Sequence, residues 1–538
     1  MLRLVTDVRV QPTPVSAWAP LASKVYRALW VAQLASNLGT WMQTVGAQWL
    51  LVDEPNAALL VSLVQTATTL PVVLLVIPSG VLADLIDRRR LLIGAQSAMA
   101  VIALTLAVLT AAGHTTPPVL LSLLFLMGCG SALTMPTWQS IQPELVPREQ
   151  IPAASALNGL SVNSARAVGP AIAGVLVAVA GPAFVFGLNA VSFIGIVAVL
   201  IWWRRPVRET TLPQERPFTA LQAGMRFVRS GPAIRRVLLR AVLFIVPASA
   251  VWALLPVVAR DRLGLSSSGY GLMLGALGVG AVLGGVSFAR LRARLTATHM
   301  LTLSAVLFGG ATLVLALVDV LPVVLPALLI AGIGWPLAMS TLNSTMLLML
   351  PSWVRARGMS VYTLVFMGGQ AAGSLLWGAV GNALGIQSAL LIAAALLGIC
   401  AVSVLWWPVR QDATGFCLTP MAFWPEPDIV CEPDPADGPV LALRRYHVPA
   451  EVTEEFVAAM ARVGRSRQRT GAMEWRLYRD VGVADQYVEA FVVRSWAEHM
   501  HQHEVRLTAQ DLRGEQEVAK YTVGEDEITH LIAVEDAR

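Results

Sequence analysis

The chain has 538 residues, of which 56% are hydrophobic and only 14% charged, with a mean hydropathy of +0.64; a soluble domain carries about 25% charge. The charge is also divided, with about 26 Lys/Arg against about 11 Asp/Glu through Arg410 and about 13 against about 23 after it. A basic apolar region with an acidic tail excludes a disordered chain, a disulfide-stapled secreted domain (four Cys) and a nucleic-acid-binding reading of the pI near 9.3.

Met1–Arg27 lacks the apolar core and small-residue cleavage site of a signal peptide, so residues 1–27 are expected to remain as a cytoplasmic end. A helix crossing a bilayer needs about 20 mostly apolar residues. Twelve stretches meet that length, near 29–51, 58–83, 91–112, 117–141, 154–179 and 183–203, then 236–257, 267–289, 299–319, 322–348, 357–381 and 385–407. Pro71, Pro136, Pro170 and Pro336 lie inside them, which spanning helices tolerate. The connections alternate in charge. One set holds Arg88, Arg89 and Arg90, Arg148, the block from Arg204 to Arg240, Arg290, Arg292, Arg294, Arg355 and Arg357. The other holds only Arg260 and Arg262, beside Asp53, Glu54, Asp261 and Asp319. Basic loops stay in the cytoplasm, and an even number of crossings puts both termini there. The expected location is the inner (plasma) membrane, crossed many times.

Sliding the chain on itself by about 204 residues brings like onto like without gaps. Gly80 falls on Gly284, Arg88 on Arg292, Pro147 on Pro351, Gly169, Gly174 and Gly181 on Gly373, Gly378 and Gly385, and Trp202–Trp203 on Trp406–Trp407. Apolar sequences share Gly and Leu by chance, but charge, Pro and paired Trp held in one register are harder to dismiss. The chain reads as two six-helix bundles, 28–203 and 236–410, joined by the basic loop 204–235. Repeated halves meeting at a midplane site are a common build of secondary transporters.

The turn after the second span reads Gly80-Val-Leu-Ala-Asp84-Leu-Ile-Asp87-Arg88-Arg89-Arg90. Through Gly80, Asp84, Arg88 and Arg89 it resembles the signature loop of the major facilitator superfamily. It departs from that loop at Leu85, in place of a basic residue, and at Asp87, in place of the second glycine. The resemblance covers about residues 20–410. Within Met135–Gly174, Pro143-Glu144-Leu-Val-Pro147 and Asn163-Ser-Ala-Arg166-Ala-Val-Gly169-Pro170 are similar to the branch that includes the enterobactin exporter. The implied mechanism is alternating access about a central cavity.

Under that resemblance the polar residues of the spans acquire expected roles. In span one, Gln33, Asn37, Thr40, Thr44 and Gln48 share one helical face. Bare amides are expensive in lipid, so this face meets other helices or, as the family's first span implies, lines the cavity. Gln65, Asn158, Asn343 and Gln370 are further cavity candidates. At the turn after span two, an Asp at a helix end followed by arginines can form a charge-assisted latch to a neighbouring helix. Gly80, Asp84, Asp87, Arg88, Arg89 and Arg90 are the expected gate, which is asymmetric because Phe288 stands at the Asp84 position of the second half.

In span five, Gly159, Asn163, Arg166, Pro170 and Gly174 share a face, with Gly169 beside Pro170. Small residues there permit close packing and Pro permits a bend; the family associates a Gly-Pro motif in this span with exporting antiporters. Arg166 lies roughly 20 Å into the membrane at 1.5 Å per residue, where an Arg costs about 2.5–3.5 kcal/mol. No Asp or Glu lies well inside a span to pair with it. Either backbone carbonyls and helix ends hold Arg166, or it contacts an anionic or phenolate-bearing substrate. The missing carboxylate leaves coupling open among protons acting near Asp53 or Glu54, the substrate's own ionisation, and facilitated diffusion. Without a Walker loop, neither ATP hydrolysis nor any cofactor is expected.

After Trp407 a Pro-rich linker, 411–438, leads to a small cytoplasmic domain, 439–538. Strands are expected over Pro439–Val448, Met473–Asp480, Gln486–Arg494 and Ile528–Val534, with a helix over Glu451–Val463 and helical segments from Ser495 to Lys520. The outline is similar to dimeric ferredoxin-like domains related to antibiotic monooxygenases, which implies self-association but transfers no catalytic residue. His499 and His503 are one helical turn apart and could share a metal, but no third ligand is evident and no metal site is expected. Cys417 and Cys431 read as free thiols in a reducing compartment.

The expected fold is thus an all-α polytopic membrane protein of twelve helices in two pseudo-symmetric bundles, with a small α+β domain appended. The expected function is export of a small amphiphilic organic compound, siderophore-like or drug-like. Membrane lipid and the substrate are its partners, and nucleic acid is not. Two alternatives are nutrient uptake, and an enzyme or sensor in the tail riding on a transporter-like anchor.

Overall fold

A computed structural model describes residues 18–203, 231–404 apart from 352–353, and 433–534 apart from 525–526, together with Ser16, 406–408 and Trp424. Outside the described residues lie the basic loop up to position 230, the first 15 residues, most of the linker 411–438, and Cys417 and Cys431.

The first bundle is built from α1 (Lys24–Leu50), α2 (Ala57–Leu85), α3 (Arg88–Ala111), α4 (Pro117–Leu145) and α5 (Ile151–Trp202). The second is built from α6 (Pro232–Val257), α7 (Ser267–Arg292), α8 (Ala297–Leu317), α9 (Leu321–Met349), α10 (Arg355–Leu384) and α11 (Ile386–Val402). Nine helical segments among the described residues are long and apolar enough to cross a membrane. Outside that group are α1, diluted by its polar stripe, and the 17-residue α11. Helix faces bearing Val179 and Val191, 83% and 63% exposed, are apolar surfaces that require lipid rather than water.

Helix α5 consists of two limbs. Gly181 breaks it at φ 79°, ψ 167°, and Pro182 restarts it. Only glycine adopts that backbone without strain, and proline suits a first helical turn. In the second bundle Gly385 separates α10 from α11 at φ 85°, ψ 153°. The 204-residue shift superposes these two glycines, so the repeat is one of backbone conformation as well as sequence. Helix contacts repeat too. A Cβ on Gly169 would stand 2.9 Å from Cβ of Trp41 on α1, and one on its counterpart Gly373 would stand 3.0 Å from the carbonyl oxygen of Val246 on α6.

Three arginines of the bundles are tied to helix C-termini, where unpaired carbonyls and the helix dipole favour a cation. Arg89 donates to the carbonyls of Leu200 (2.7 Å) and Ile201 (2.8 Å). Arg240 donates to the carbonyls of Cys400, Ser403 and Trp407 and to the Ser403 hydroxyl. Arg262 donates to the carbonyls of Leu315 and Ala316 and pairs with Asp319. The bundles meet along two seams related by the repeat, α5 against α7 and α2 against α10.

In the tail, β1 (Val440–His447), β2 (Glu474–Arg479), β3 (Gln486–Val493) and β4 (Glu527–Ile532) form one antiparallel sheet in the order β2-β3-β1-β4. Around it are α12 (Thr453–Thr470), α13 (Trp496–His501) and α14 (Ala509–Val518). Tyr446, Phe456, Met460 and Val463 pack the core. Helix α12 runs seven residues past its expected end. Arg467, beyond that expected end, is 1% exposed between Glu489 (3.0 Å) and Glu515 (2.6 Å). That pairing carries its charge into the core.

Candidate substrate cavity

A cavity of about 540 Å³ lies on the seam between the bundles. Asn163 and Arg166 of α5 form one wall, Val282 and Gly285 of α7 a second, Trp335, Met339 and Asn343 of α9 a third, and Tyr362, Phe366 and Met367 of α10 a fourth. Trp335 anchors an aromatic cluster, with ring centroids 5.7 Å from Trp252, 5.9 Å from Phe308, 6.2 Å from Phe244 and 6.4 Å from Phe366. The wall is therefore stiff, apolar and aromatic on one side and polar on the other, as small-molecule sites commonly are.

At the end whose connections are poor in arginine the bundles are in close contact. A Cβ on Gly174 would stand 2.6 Å from the Ser267 carbonyl oxygen and 2.8 Å from Cα of Gly271. On the repeat-related seam, one on Gly378 would overlap Ser62 of α2. The Tyr270 hydroxyl donates to Gln48 Oε1 (2.5 Å), and Thr66 Oγ1 donates to the Ala371 carbonyl (3.1 Å). Trp49 stacks on Tyr270 at 6.1 Å. Outermost, Arg260 Nε donates to Asp53 Oδ1 at 2.8 Å; both side chains are about half exposed, so this pair adds little. Toward the arginine-rich end, Gly159 and Gly285 have no neighbouring atom within 4 Å of an added Cβ. The halves are closed at one end and parted at the other.

Arg166 sits on the cavity wall beside the close seam, where a Cβ on Gly278 of α7 would stand 3.0 Å from the Arg166 carbonyl oxygen. Its guanidinium lies 5.6 Å from the Trp41 ring centroid. Among the described residues it makes no hydrogen bond or ion pair, and its Nε is enclosed without a partner. Arg89, Arg240 and Arg262 find helix ends; Arg166 finds only an aromatic face and the cavity. A guanidinium has five donors in a planar fork suited to carboxylate or catecholate oxygens.

The other candidates divide. Pro170 and Gly174 lie in the closed seam, Gly169 packs on Trp41, and Gly159 lies open. Asn163 donates to the Gly159 carbonyl at 2.9 Å and faces the cavity. The span-one stripe is not on this cavity's wall. Thr40 and Thr44 bond back to the carbonyls of Ser36 and Thr40, as threonine does in helices. Gln33 donates to Asn37 and Asn37 to Ser161, both at 3.1 Å, so these amides join α1 to α5. Gln65, Asn158 and Gln370 also lie off the wall, whereas Asn343 is on it. At the α2–α3 turn, Asp87 caps α3 by accepting from the Arg90 amide (2.9 Å), and Arg88 pairs with Glu144 of α4 (2.9 Å). Gly80 and Asp84 lie in the last turns of α2, and their surroundings fall outside the described residues. Sequence reasoning missed Tyr362, Phe366 and Met367. The repeat could have found this stretch, since it sets Asn158 on Tyr362 and Asn163 on Met367.

The family model described as transmembrane secretion effector matches residues 15–538. The chain is 28% identical over 366 residues to the enterobactin exporter EntS of Salmonella typhimurium, covering 66% of this chain and 85% of that one. It is 25% identical over 279 residues to the staphyloferrin A transporter of Staphylococcus aureus, covering 51% and 70%. Among solved structures it resembles a bacterial homologue of the human lysosomal transporter Spinster in an inward-facing, unoccupied conformation, with 14% identity, TM-score 0.57, and 71% and 96% of the two chains covered. It also resembles the nucleoside transporter NupG, with 13% identity, TM-score 0.57, and 71% and 98% covered. At these identities the structural likeness is one of fold. With its apolar helices and its two bundles meeting at a cavity, the chain is an integral membrane protein and belongs to the transmembrane secretion effector family of major facilitator transporters.

Proposed function

We propose that this chain exports a small, amphiphilic, anionic compound of the siderophore kind by alternating access across the inner (plasma) membrane. The observation that carries this reading is Arg166, an unpaired cation between Trp41 and an aromatic-walled cavity on the seam of two repeated bundles. Arginine stays charged at any physiological pH, so such a site selects the ionised form of a catecholate or carboxylate. The names of the two siderophore-handling relatives support the same substrate class.

Eleven helices with α5 broken at Gly181 supply twelve crossings, and the arginine-rich connections mark the cytoplasmic side. Both termini and the tail are then cytoplasmic, and the described conformation is open inward. The α2–α3 turn acts as the latch. In this state Arg88 on Glu144 and Arg89 on the end of α5 hold it within its own bundle. No carboxylate lies mid-span, so coupling runs through the substrate's own charge, with protons the alternative. Counted from its other edge, the tail sheet runs β4-β1-β3-β2, which supports a ferredoxin-like domain able to self-associate.

Vesicle orientation tests this reading. With a tricatecholate siderophore as probe, energised inverted vesicles are expected to accumulate it and right-side-out vesicles are not. Accumulation only in right-side-out vesicles would make the protein an uptake system.

A further inference from the structure

The tail contains a histidine cluster that is not on the wall of the seam cavity. His499 lies on α13, His503 on the wide turn that follows it (Gln502–Arg506), and His530 on β4, where the sheet register sets it opposite Ala442 of β1. Ring centroids are 4.8 Å apart for His499–His503 and 4.7 Å for His499–His530. One ring nitrogen from each histidine lies within 4.8 Å of the others. His499 is fully buried, and neither of its ring nitrogens has a hydrogen-bond partner among the described residues. A buried imidazole normally has at least one of its nitrogens satisfied, so this one is short of a partner.

We propose that His499, His503 and His530 form a binding site for an exchangeable divalent transition-metal ion of the Zn²⁺ class. Three imidazoles suit Zn²⁺, Cu²⁺, Ni²⁺ or Fe²⁺ rather than Mg²⁺ or Ca²⁺, which prefer oxygen. An ion about 2.1 Å from each nitrogen needs them roughly 3.5 Å apart, within reach of small side-chain rotations. Three protein ligands leave a fourth position for water or another ligand, the pattern of open sites rather than closed structural ones.

The surroundings fit. Burial, reinforced by the neighbouring imidazoles and Arg467, lowers His499 to about 3 and His503 to about 4, and burial also lowers His530. The rings are therefore neutral at pH 7, with lone pairs free for a metal. Glu489 and Glu515 offset part of the nearby positive charge of Arg467. Trp424 covers His503 edge-on at 4.6 Å and donates to Glu515 at 2.7 Å. The third ligand is absent from the local sequence pattern because His530 reaches the pair only through the fold of the sheet.

The test uses the full chain in detergent, stripped with a chelator and titrated with Zn²⁺ against a chromophoric competitor. One Zn²⁺ per chain is expected at micromolar or tighter affinity, and losing a ligand by His503→Ala or His530→Ala should weaken it by at least the roughly 100-fold that loss of an outer-shell partner can cost. His501→Ala, at an exposed neighbour, should leave it unchanged. Cobalt on the unmutated chain should give tetrahedral nitrogen-ligand absorption, a readout that stands even where a variant fails to fold. No binding at micromolar Zn²⁺, or equal binding by all three variants, would overturn the site. Neither result bears on export, so this test and the vesicle test fail independently.

Discussion

Arg166→Ala is expected to weaken binding and transport of an anionic substrate by about 10- to 150-fold, the equivalent of losing one charged hydrogen-bonding partner at about 1.5–3 kcal/mol. Arg166→Lys should recover only part of this, because an ammonium supplies the charge without the planar fork. Stability separates a substrate-facing role from a structural one. Arg166 makes no hydrogen bond or ion pair among the described residues and only one ring contact, with Trp41, so its removal should leave the thermal midpoint nearly unchanged or raised. Arg240→Ala strips four hydrogen bonds from the end of α11 and should lower the midpoint. Affinity measured in detergent, flux in vesicles and a melting curve on each variant check this. Normal flux of every anionic probe by Arg166→Ala would remove the mid-span charge from the mechanism.

Gly174→Leu is expected to abolish turnover by preventing closure of the arginine-poor end. A side chain there meets the Ser267 carbonyl and Gly271 Cα, both backbone, so neither can move aside alone. Overpacking a tight interface costs about 1–3 kcal/mol or more. The open alternative for that end avoids the clash, so the equilibrium should move toward it by roughly 5- to 150-fold. A cysteine at Asn343, on the cavity wall, should then react with an impermeant thiol reagent from the arginine-poor side. Gly195→Leu, on the second limb of α5, is the control: the residue is exposed and nothing stands within 4 Å of the added carbon, so transport should persist.

The sequence made the framework legible because membrane crossing leaves few choices. Uninterrupted apolar runs can only be helices, and the register of Gly181 with Gly385 marks the same break in each half. The tail strands were equally readable from their alternation, except that α12 continues through Arg467, whose charge disguised a core position. The cavity was harder. On α5 the polar Asn163 and Arg166 announced themselves. On α10 the wall is Tyr362, Phe366 and Met367, residues that in an apolar run look like packing or lipid contact. The span-one stripe reads differently: its residues are polar in sequence, yet they hydrogen-bond within α1, to Ser161 of α5 and, at Gln48, to Tyr270 of α7. His530 illustrates the general limit, since it joins His499 across about 30 residues through strand register, which no local pattern records.

Alternating access requires the two bundles to rock about the Arg166 cavity, one end opening as the other closes. Spin-label distances test it most directly, with the native cysteines removed. One pair, Glu54→Cys with Ser266→Cys, reports the arginine-poor end; the other, Glu149→Cys with Arg290→Cys, reports the arginine-rich end. Energising the membrane with substrate present should lengthen the first distance and shorten the second in the same population. Two distances that stay fixed while substrate is transported, or that lengthen together, would rule out rocking of the bundles.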